Sequence, residues 1–225
     1  MIVRTRSRCC RSLRVASGAL LVVLLGACSP IRGQLALHVA PIANPASGPA
    51  VRFARVTDAR VFQAKVTPAQ MSTPSLRGDE IDNADLKSRA IARKVDGKGD
   101  PSGDVILPAG RTVAQLVEEA LTRGFREAGY RVLGPADTGH EGATPLVAEV
   151  QQLWAWQELK PHNSALLFQA AVRMTGEVAP LQGGATVRVS TQEERTTADT
   201  RAWRAALNKG LDELVRNTRM LLEKR

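Results

Sequence analysis

The 225-residue chain has only three cysteines, and all of them lie within its first 28 residues. Residues 29–225 therefore cannot form a disulfide, and they supply no thiol for catalysis or metal binding. Histidine is also scarce. The three histidines, His38, His140 and His162, are far apart in the sequence and lack the short spacing of a metal-ligating pair. We therefore expect no metal site and no dissociable cofactor.

Motifs that carry catalysis are also absent from the sequence. It contains no Gly-x-Ser-x-Gly turn, no P-loop and no dinucleotide-binding glycine pattern. Two acidic pairs, Asp79–Glu80 and Glu193–Glu194, leave one enzymatic alternative open, the cleavage of cell-wall glycan. Such pairs are more often solvated surface residues. We expect no catalytic residue and no enzymatic activity.

Positive charge is concentrated at the N-terminus. The chain as a whole has a net charge of +9, but its first 14 residues hold five arginines and no acidic residue. From residue 28 onward there are 26 basic and 22 acidic residues, a net charge of +4. This modest excess does not predict nucleic-acid binding.

The arginine-rich segment is followed by thirteen uncharged residues, 15–27. A membrane-spanning helix needs about 20 apolar residues, so this run is too short to remain as an anchor. A basic start, a short apolar run and small residues before a cleavage site are typical of an export signal. We predict that residues 1–27 are removed by cleavage between Ala27 and Cys28.

The residues around this cleavage site, Leu25-Gly26-Ala27-Cys28, resemble the lipobox of bacterial lipoproteins. The resemblance implies that Cys28 carries diacylglycerol as a thioether and that its new amino group is acylated, for example with palmitate. Several acyl chains on one residue give stable membrane anchoring. An ordinary signal peptide is the alternative. Residue 29 is serine rather than aspartate, which by analogy favours the periplasmic face of the outer membrane.

Downstream of Cys28 the sequence predicts a short tether, residues 28–33, and one periplasmic domain, residues 34–225. Leu35, Leu37 and Val39 alternate with less apolar residues, as in a half-buried strand. The next strand has an irregular alternation near residues 54–56 that indicates a β-bulge. Residues 67–87 are polar and have no regular period, which predicts an exposed, mobile loop.

Two amphipathic helices are predicted. Thr112 and Gln115 form the pattern of a capping box at the start of the first, and Gly129 is placed to end it. The second helix closes the chain. Each apolar stripe contains a glycine, Gly124 or Gly210, which predicts close backbone approach at both positions.

Three segments with a period of two lie between these helices. The first places Leu146, Ala148, Val150, Trp154 and Trp156 on one face, and the second does the same for Leu166, Phe168, Ala170, Val172 and Met174. A glycine-rich turn at residues 182–184 leads into the third. The pattern predicts an α+β fold, a two-layer sandwich with an antiparallel sheet and both helices on one face.

The two tryptophans have two interpretations. Aromatic residues make up only 4% of the chain, and Trp154 and Trp156 are placed near the end of one strand. Either they close one edge of the core, or they form a partly exposed aromatic ledge that contacts a glycan, a lipid or a protein. We treat them as a candidate contact surface.

With these segments placed, the chain resembles the YajG-type outer-membrane lipoproteins. The stretches that carry the resemblance are the lipobox, the strand that ends at Pro41, residues 54–60 with a Val-x-Asp-x-Arg pattern, and residues 106–134 and 146–155. The chain differs in its longer polar segment at 67–87. The first amphipathic helix, with the segment Gly-Tyr-Arg-Val-Leu that ends it at residues 129–133, also resembles auxiliary lipoproteins of ABC-type lipid transporters and activators of cell-wall synthases.

The resemblance implies a non-enzymatic envelope lipoprotein that is held on the membrane and binds or organises other envelope components. The more specific alternative is an auxiliary subunit of a lipid transporter, with an apolar groove for acyl chains. Because unrelated functions share this fold, the fold alone does not choose between them. The sequence leaves the partner, whether protein or lipid, and the oligomeric state open.

Overall fold

The computed structural model describes residues 31–223. The elements are β1 (Ile31–Gln34), β2 (Ala50–Asp58), α1 (Ala84–Arg89), β3 (Ala90–Val95), β4 (Pro101–Ile106), α2 (Val113–Glu127), β5 (Arg131–Val132), β6 (Thr144–Leu159), β7 (Ser164–Gly176), β8 (Ala185–Arg195) and α3 (Thr200–Glu223). The predicted α+β sandwich is confirmed. The sheet already begins at Ile31, so the last residues assigned to the tether belong to β1.

The eight strands form one sheet around the long strand β6. On one side of β6, β7 and β8 follow as an antiparallel meander, as predicted. On the other side, β2 and then β5 pair along its first half, while β3, β4 and β1 extend from its second half. Four of the seven pairings are parallel, so the sheet is mixed and not antiparallel throughout. Parallel pairing needs the long crossover connections that α1 and α2 occupy here.

Helix α2 starts and ends where the sequence predicts. The Thr112 hydroxyl accepts a hydrogen bond from the Gln115 amide (3.2 Å), and the Gln115 side chain accepts one from the Thr112 amide (2.9 Å). Both bonds satisfy amides that have no partner within the helix. Gly129 follows the helix with φ of +89°, a conformation that L-residues rarely adopt.

Helices α2 and α3 pack together on one face of the sheet and form the helix-side core. Both stripe glycines lie at close contacts, as predicted. A Cβ at Gly124 would lie 2.8 Å from Cβ of Thr218 on α3, and one at Gly210 would lie 2.2 Å from Cδ1 of Phe168 on β7. The two glycines therefore let α3 approach α2 and the sheet.

Arg60 joins the two halves of the sheet at the point where β2 leaves β6 and β3 takes its place. Its guanidinium donates to the carbonyl oxygens of Ala90 (2.7 Å), Leu153 (3.0 Å) and Lys87 (2.7 Å). The Asp58 carboxylate holds it with two bonds of 2.8 and 2.7 Å. Arg60 is only 8% exposed. The Val-x-Asp-x-Arg pattern is thus explained by a buried fork that satisfies backbone carbonyls.

Residues 61–89 cover part of the opposite face of the sheet, over the second half of β6 and the strands beside it. Met71, Leu76 and Leu86 are buried there against the two tryptophans of β6, and together they form the tryptophan-side core. The prediction of an exposed loop at 67–87 is therefore wrong for its apolar residues, since Leu76 is fully buried. A polar segment with widely spaced apolar residues has no regular period, yet each of those residues fills a place over the sheet.

Candidate functional site

The predicted lipidation site, Cys28, lies outside the described residues, as do Leu25, Gly26 and Ala27 of the lipobox. The lipobox and the cleavage site therefore stay predictions. The chain geometry still bounds the distance of the fold from this cysteine. Three residues span at most about 11 Å, so β1 starts within that distance of Cys28. A lipid on Cys28 would hold the edge of the sheet close to the bilayer.

The two candidate contact tryptophans are buried. Trp154 has no exposed surface and Trp156 is 5% exposed. The Trp154 indole N–H donates to the Met71 carbonyl oxygen (3.1 Å), and its ring packs edge-to-face against Phe62 at 6.0 Å between centroids. The aromatic ledge is thus a covered part of the core.

The tryptophans also lie on the face opposite to the one predicted. Gln151 has no partner on β7, because Val150 pairs with Val172 and Gln152 pairs with the adjacent Ala171. This bulge reverses the alternation. Before it, Leu146, Ala148 and Val150 belong to the helix-side core; after it, Leu153 and Ala155 do, and the tryptophans turn away.

The remaining polar candidates lie apart from one another. His38 and His162 are exposed, and His140 is half-buried, with Nδ1 3.2 Å from the Leu133 carbonyl oxygen. Each acidic pair is engaged by basic side chains: Glu80 by Arg32, and Glu194 by Lys160 (2.6 Å). Within residues 31–223 no three His, Cys, Asp or Glu side chains cluster as metal ligands would.

A cleft of about 610 Å³, here called the α2 cleft, lies between helix α2 and the chain that follows β1. One wall is the chain after β1, including His38, Pro41 and Ile42, and the other is the outer face of α2, including Glu118, Thr122 and Arg123. The sequence does not reveal this site, because the polar face of α2 is typical of a solvent-exposed face. No local pattern shows that residues 38–42 lie against it.

Arg126 fixes one wall of the α2 cleft to the other. Its guanidinium donates to the Ile42 carbonyl oxygen (2.6 Å), the Asn44 side-chain oxygen (2.9 Å) and the Val132 carbonyl oxygen (3.2 Å). Asn44 also bonds both backbone groups of Val132. The wall formed by residues 38–44 is therefore held in place without a partner strand.

The charges of the α2 cleft are unevenly paired. Arg111 forms an ion pair with Glu119, and Arg123 forms one with Glu127 (2.8 Å). Glu118 is exposed and has no hydrogen-bond or ion-pair partner among residues 31–223. Partial desolvation, and secondly the adjacent carboxylate of Glu119, raise the pKa of Glu118 above its ordinary value. A cationic or hydrogen-bond-donating group bound beside Glu118 would stabilise its ionised carboxylate.

Comparisons with known proteins assign the chain to no family. No family model and no curated protein matches it. Several solved structures share a partial similarity with the chain. An uncharacterised protein has 8% identity and a TM-score of 0.42, over 84% of this chain and 95% of that one. A Xanthomonas campestris protein of the DUF330 family has 11% identity and a TM-score of 0.42, over 82% and 90%.

The third structure is a minor lipoprotein of Acinetobacter baumannii, with 15% identity and a TM-score of 0.33 over 59% of this chain and 90% of that one. Scores and identities this low leave function to be argued from the chain itself. No helix in the described part of the chain is both long and apolar enough to span a bilayer.

Proposed function

We propose that the chain is a bacterial envelope lipoprotein that catalyses no reaction. A lipid on Cys28 anchors it to the outer membrane, and its periplasmic α+β domain binds another envelope component. One observation carries this proposal: thirteen uncharged residues follow an arginine-rich start, and they end in Leu25-Gly26-Ala27 directly before Cys28. The start of the sheet at Ile31 supports it, because the folded domain then lies beside the membrane.

The α2 cleft is the proposed binding surface. It combines a wall with apolar surface, provided by Pro41 and Ile42, with a helix that carries the unpaired carboxylate of Glu118. A protein segment that presents an apolar side chain beside a lysine or arginine fits both features. We therefore favour a protein partner over an acyl chain, which would leave the charged wall of the cleft desolvated and unpaired.

The anchor is tested by expressing the chain in a bacterium with labelled palmitate. The wild-type chain should incorporate label and fractionate with the outer membrane, while Cys28→Ser should lose both properties. Cys9→Ser/Cys10→Ser is the matched control, because both cysteines lie in the segment that is predicted to be removed. A mature wild-type chain with a free thiol at Cys28 would refute the anchor.

The binding surface is tested with a photo-crosslinking amino acid at Thr122 in the α2 cleft and, as a control, at Val61. Val61 is 77% exposed and lies in the segment that covers the opposite face of the sheet. We expect a protein adduct from Thr122 alone, reduced by Glu118→Lys and by Cys28→Ser. A phospholipid adduct would instead support the lipid-transport alternative, and no adduct from Thr122 would refute the cleft as the binding surface.

A further inference from the structure

Strand β8 is a long free edge of the sheet. Its eleven residues, Ala185–Arg195, pair with β7 on one side and with no other strand of the described chain. A row of unpaired backbone N–H and C=O groups is a template for pairing with another strand. The strands at the opposite edge of the sheet are short: β1 has four residues and β5 has two.

The backbone groups on the free edge are those of the even-numbered residues. The amide of Lys160 donates to the carbonyl oxygen of Asn163 (2.9 Å) and closes the turn between β6 and β7. Because bonding direction alternates along a strand, the odd-numbered residues of β7 face β6 and the even-numbered ones face β8. In the observed register, even-numbered residues of β7 pair with odd-numbered residues of β8. The backbone N–H and C=O groups of the even-numbered residues of β8 therefore point away from β7, toward the free edge.

A contact with α3 agrees with this direction. The Asn217 side chain donates to the carbonyl oxygen of Arg188 (2.9 Å), so this oxygen points away from β7 and already has one partner. Pairing with a second copy would use the second lone pair of this carbonyl oxygen. The same even-numbered residues carry the polar face of β8, while Val187 and Val189 are buried beneath α3. Both the outward bonding groups and the exposed side chains therefore belong to one set of residues.

The charges along this edge are self-complementary. Arg188 is exposed and has no carboxylate within 4 Å among residues 31–223, whereas Glu194 is an exposed carboxylate on the same face. The ion pair with Lys160 lowers the pKa of Glu194, so this group is ionised at neutral pH. If two copies of β8 pair antiparallel around Thr191, each Arg188 lies opposite Glu194 of the second copy and each Ser190 lies opposite Gln192.

We propose that this protein forms a symmetric dimer through antiparallel pairing of β8 with β8 of a second copy, centred on Thr191. Residues opposite each other then lie on the same face, so the two helix-side cores stay on one side of a continuous sixteen-stranded sheet. The Arg188–Glu194 pair occurs twice and fixes the register, since a shift by two residues, the smallest that keeps the outward backbone groups opposite one another, would lose both ion pairs. The proposal does not depend on the lipid anchor.

The groove beside the edge offers apolar surface to the same partner. It has a volume of about 210 Å³ and is lined by Arg188, Asn217 and Met220 among others. Met220 is 48% exposed and is one of three exposed large apolar residues in the described chain. In the proposed register Arg195 of the second copy lies opposite Val187, next to this groove, and its aliphatic part can cover Met220.

The dimer is tested by disulfide trapping in the full chain in bacterial membranes. Thr191 lies on the proposed two-fold axis at a position that is not hydrogen-bonded to the second copy, where Cβ atoms approach most closely. Thr191→Cys should therefore form a disulfide-linked dimer under mild oxidation. The wild-type chain gives the background from Cys9, Cys10 and Cys28, and Val61→Cys controls for random collision.

Charge reversal tests the register. In the Thr191→Cys background, Arg188→Glu or Glu194→Arg should reduce the trapped dimer at least about fivefold, and the double reversal should restore it, because both opposite-charge pairs are re-formed. Trypsin resistance of each variant shows that it has folded. Absence of a Thr191→Cys dimer above the Val61→Cys background, or equal trapping in all charge variants, would overturn the proposal.

Discussion

Replacing Arg60 by methionine tests how the two halves of the sheet are joined. Methionine keeps the apolar stem but removes every donor that the guanidinium offers to three carbonyl oxygens and to Asp58. The bonds to Ala90 and Leu153 are buried, and a buried carbonyl left without a partner costs about 1–3 kcal/mol. Removing one partner of a buried ion pair costs about 3–5 kcal/mol in total.

We therefore expect Arg60→Met to lower the free energy of unfolding by about 4 kcal/mol. Domains of this kind are stable by about 5–15 kcal/mol, so the loss is a large fraction of the total. At roughly 2–4 °C per kcal/mol, Tm should fall by about 8–16 °C. The measurement is urea-induced unfolding of the purified chain followed by circular dichroism, with thermal melts as a second readout.

Two further variants make the result specific to the buried fork. Arg55→Met removes an exposed arginine of β2, the strand that precedes Arg60, and should change the free energy of unfolding by less than about 0.5 kcal/mol. Combining Arg60→Met with Asp58→Asn should cost less than the sum of the single changes, by about 0.5–3 kcal/mol. If Arg60→Met stays within about 1 kcal/mol of wild type, the carbonyls have other partners and this account of the fork is wrong.

Three other variants test packing and charge. Gly210→Ala should lower the free energy of unfolding by about 1–3 kcal/mol in the same urea assay, because the new methyl group overlaps the Phe168 ring. The control is Gly97→Ala, which adds a methyl group in open space and should leave the free energy of unfolding nearly unchanged. Gly124→Leu should separate α2 from α3 and cost about 3 kcal/mol, so an unchanged Tm would exclude close helix contact. Glu118→Gln should raise Tm slightly at pH 7 and not at pH 3. The pKa of Glu118 is raised in the folded state, so the ionised carboxylate lowers the free energy of unfolding. This loss of stability is absent below the pKa of the unfolded state and complete above the pKa of the folded state. Glu141→Gln, which replaces an exposed carboxylate outside the cleft, is the matched control.

Much of the fold follows from local pattern. The capping box of α2, its apolar stripe, the alternation of β7 and β8, and the irregularity in β2 at residues 53–55 are all readable, because each depends on neighbours within a few residues. The tight contacts at Gly124 and Gly210 were also predictable. Glycine is unfavourable inside a helix, so its presence in an apolar stripe indicates a packing requirement.

The candidate site was less predictable. The cleft wall at residues 38–44 is held by Arg126, which is 82 and 84 residues away from its partners Asn44 and Ile42. A side chain with this role has the same sequence pattern as a solvated arginine on a polar helix face. The binding surface therefore depends on long-range contacts that no local period encodes.

The sequence by itself determined the class of the fold, and it predicts the localisation of the protein in the bacterial envelope. Only the tertiary structure decided which face each β6 side chain occupies, because one unpaired residue, Gln151, reverses the alternation, and a bulge is defined by the pairing with β7. It also decided that Trp154 and Trp156 are buried, since their cover comes from a segment some 80 residues earlier in the chain. Local composition fixes what a segment can form, whereas burial and register are properties of the neighbours that it meets.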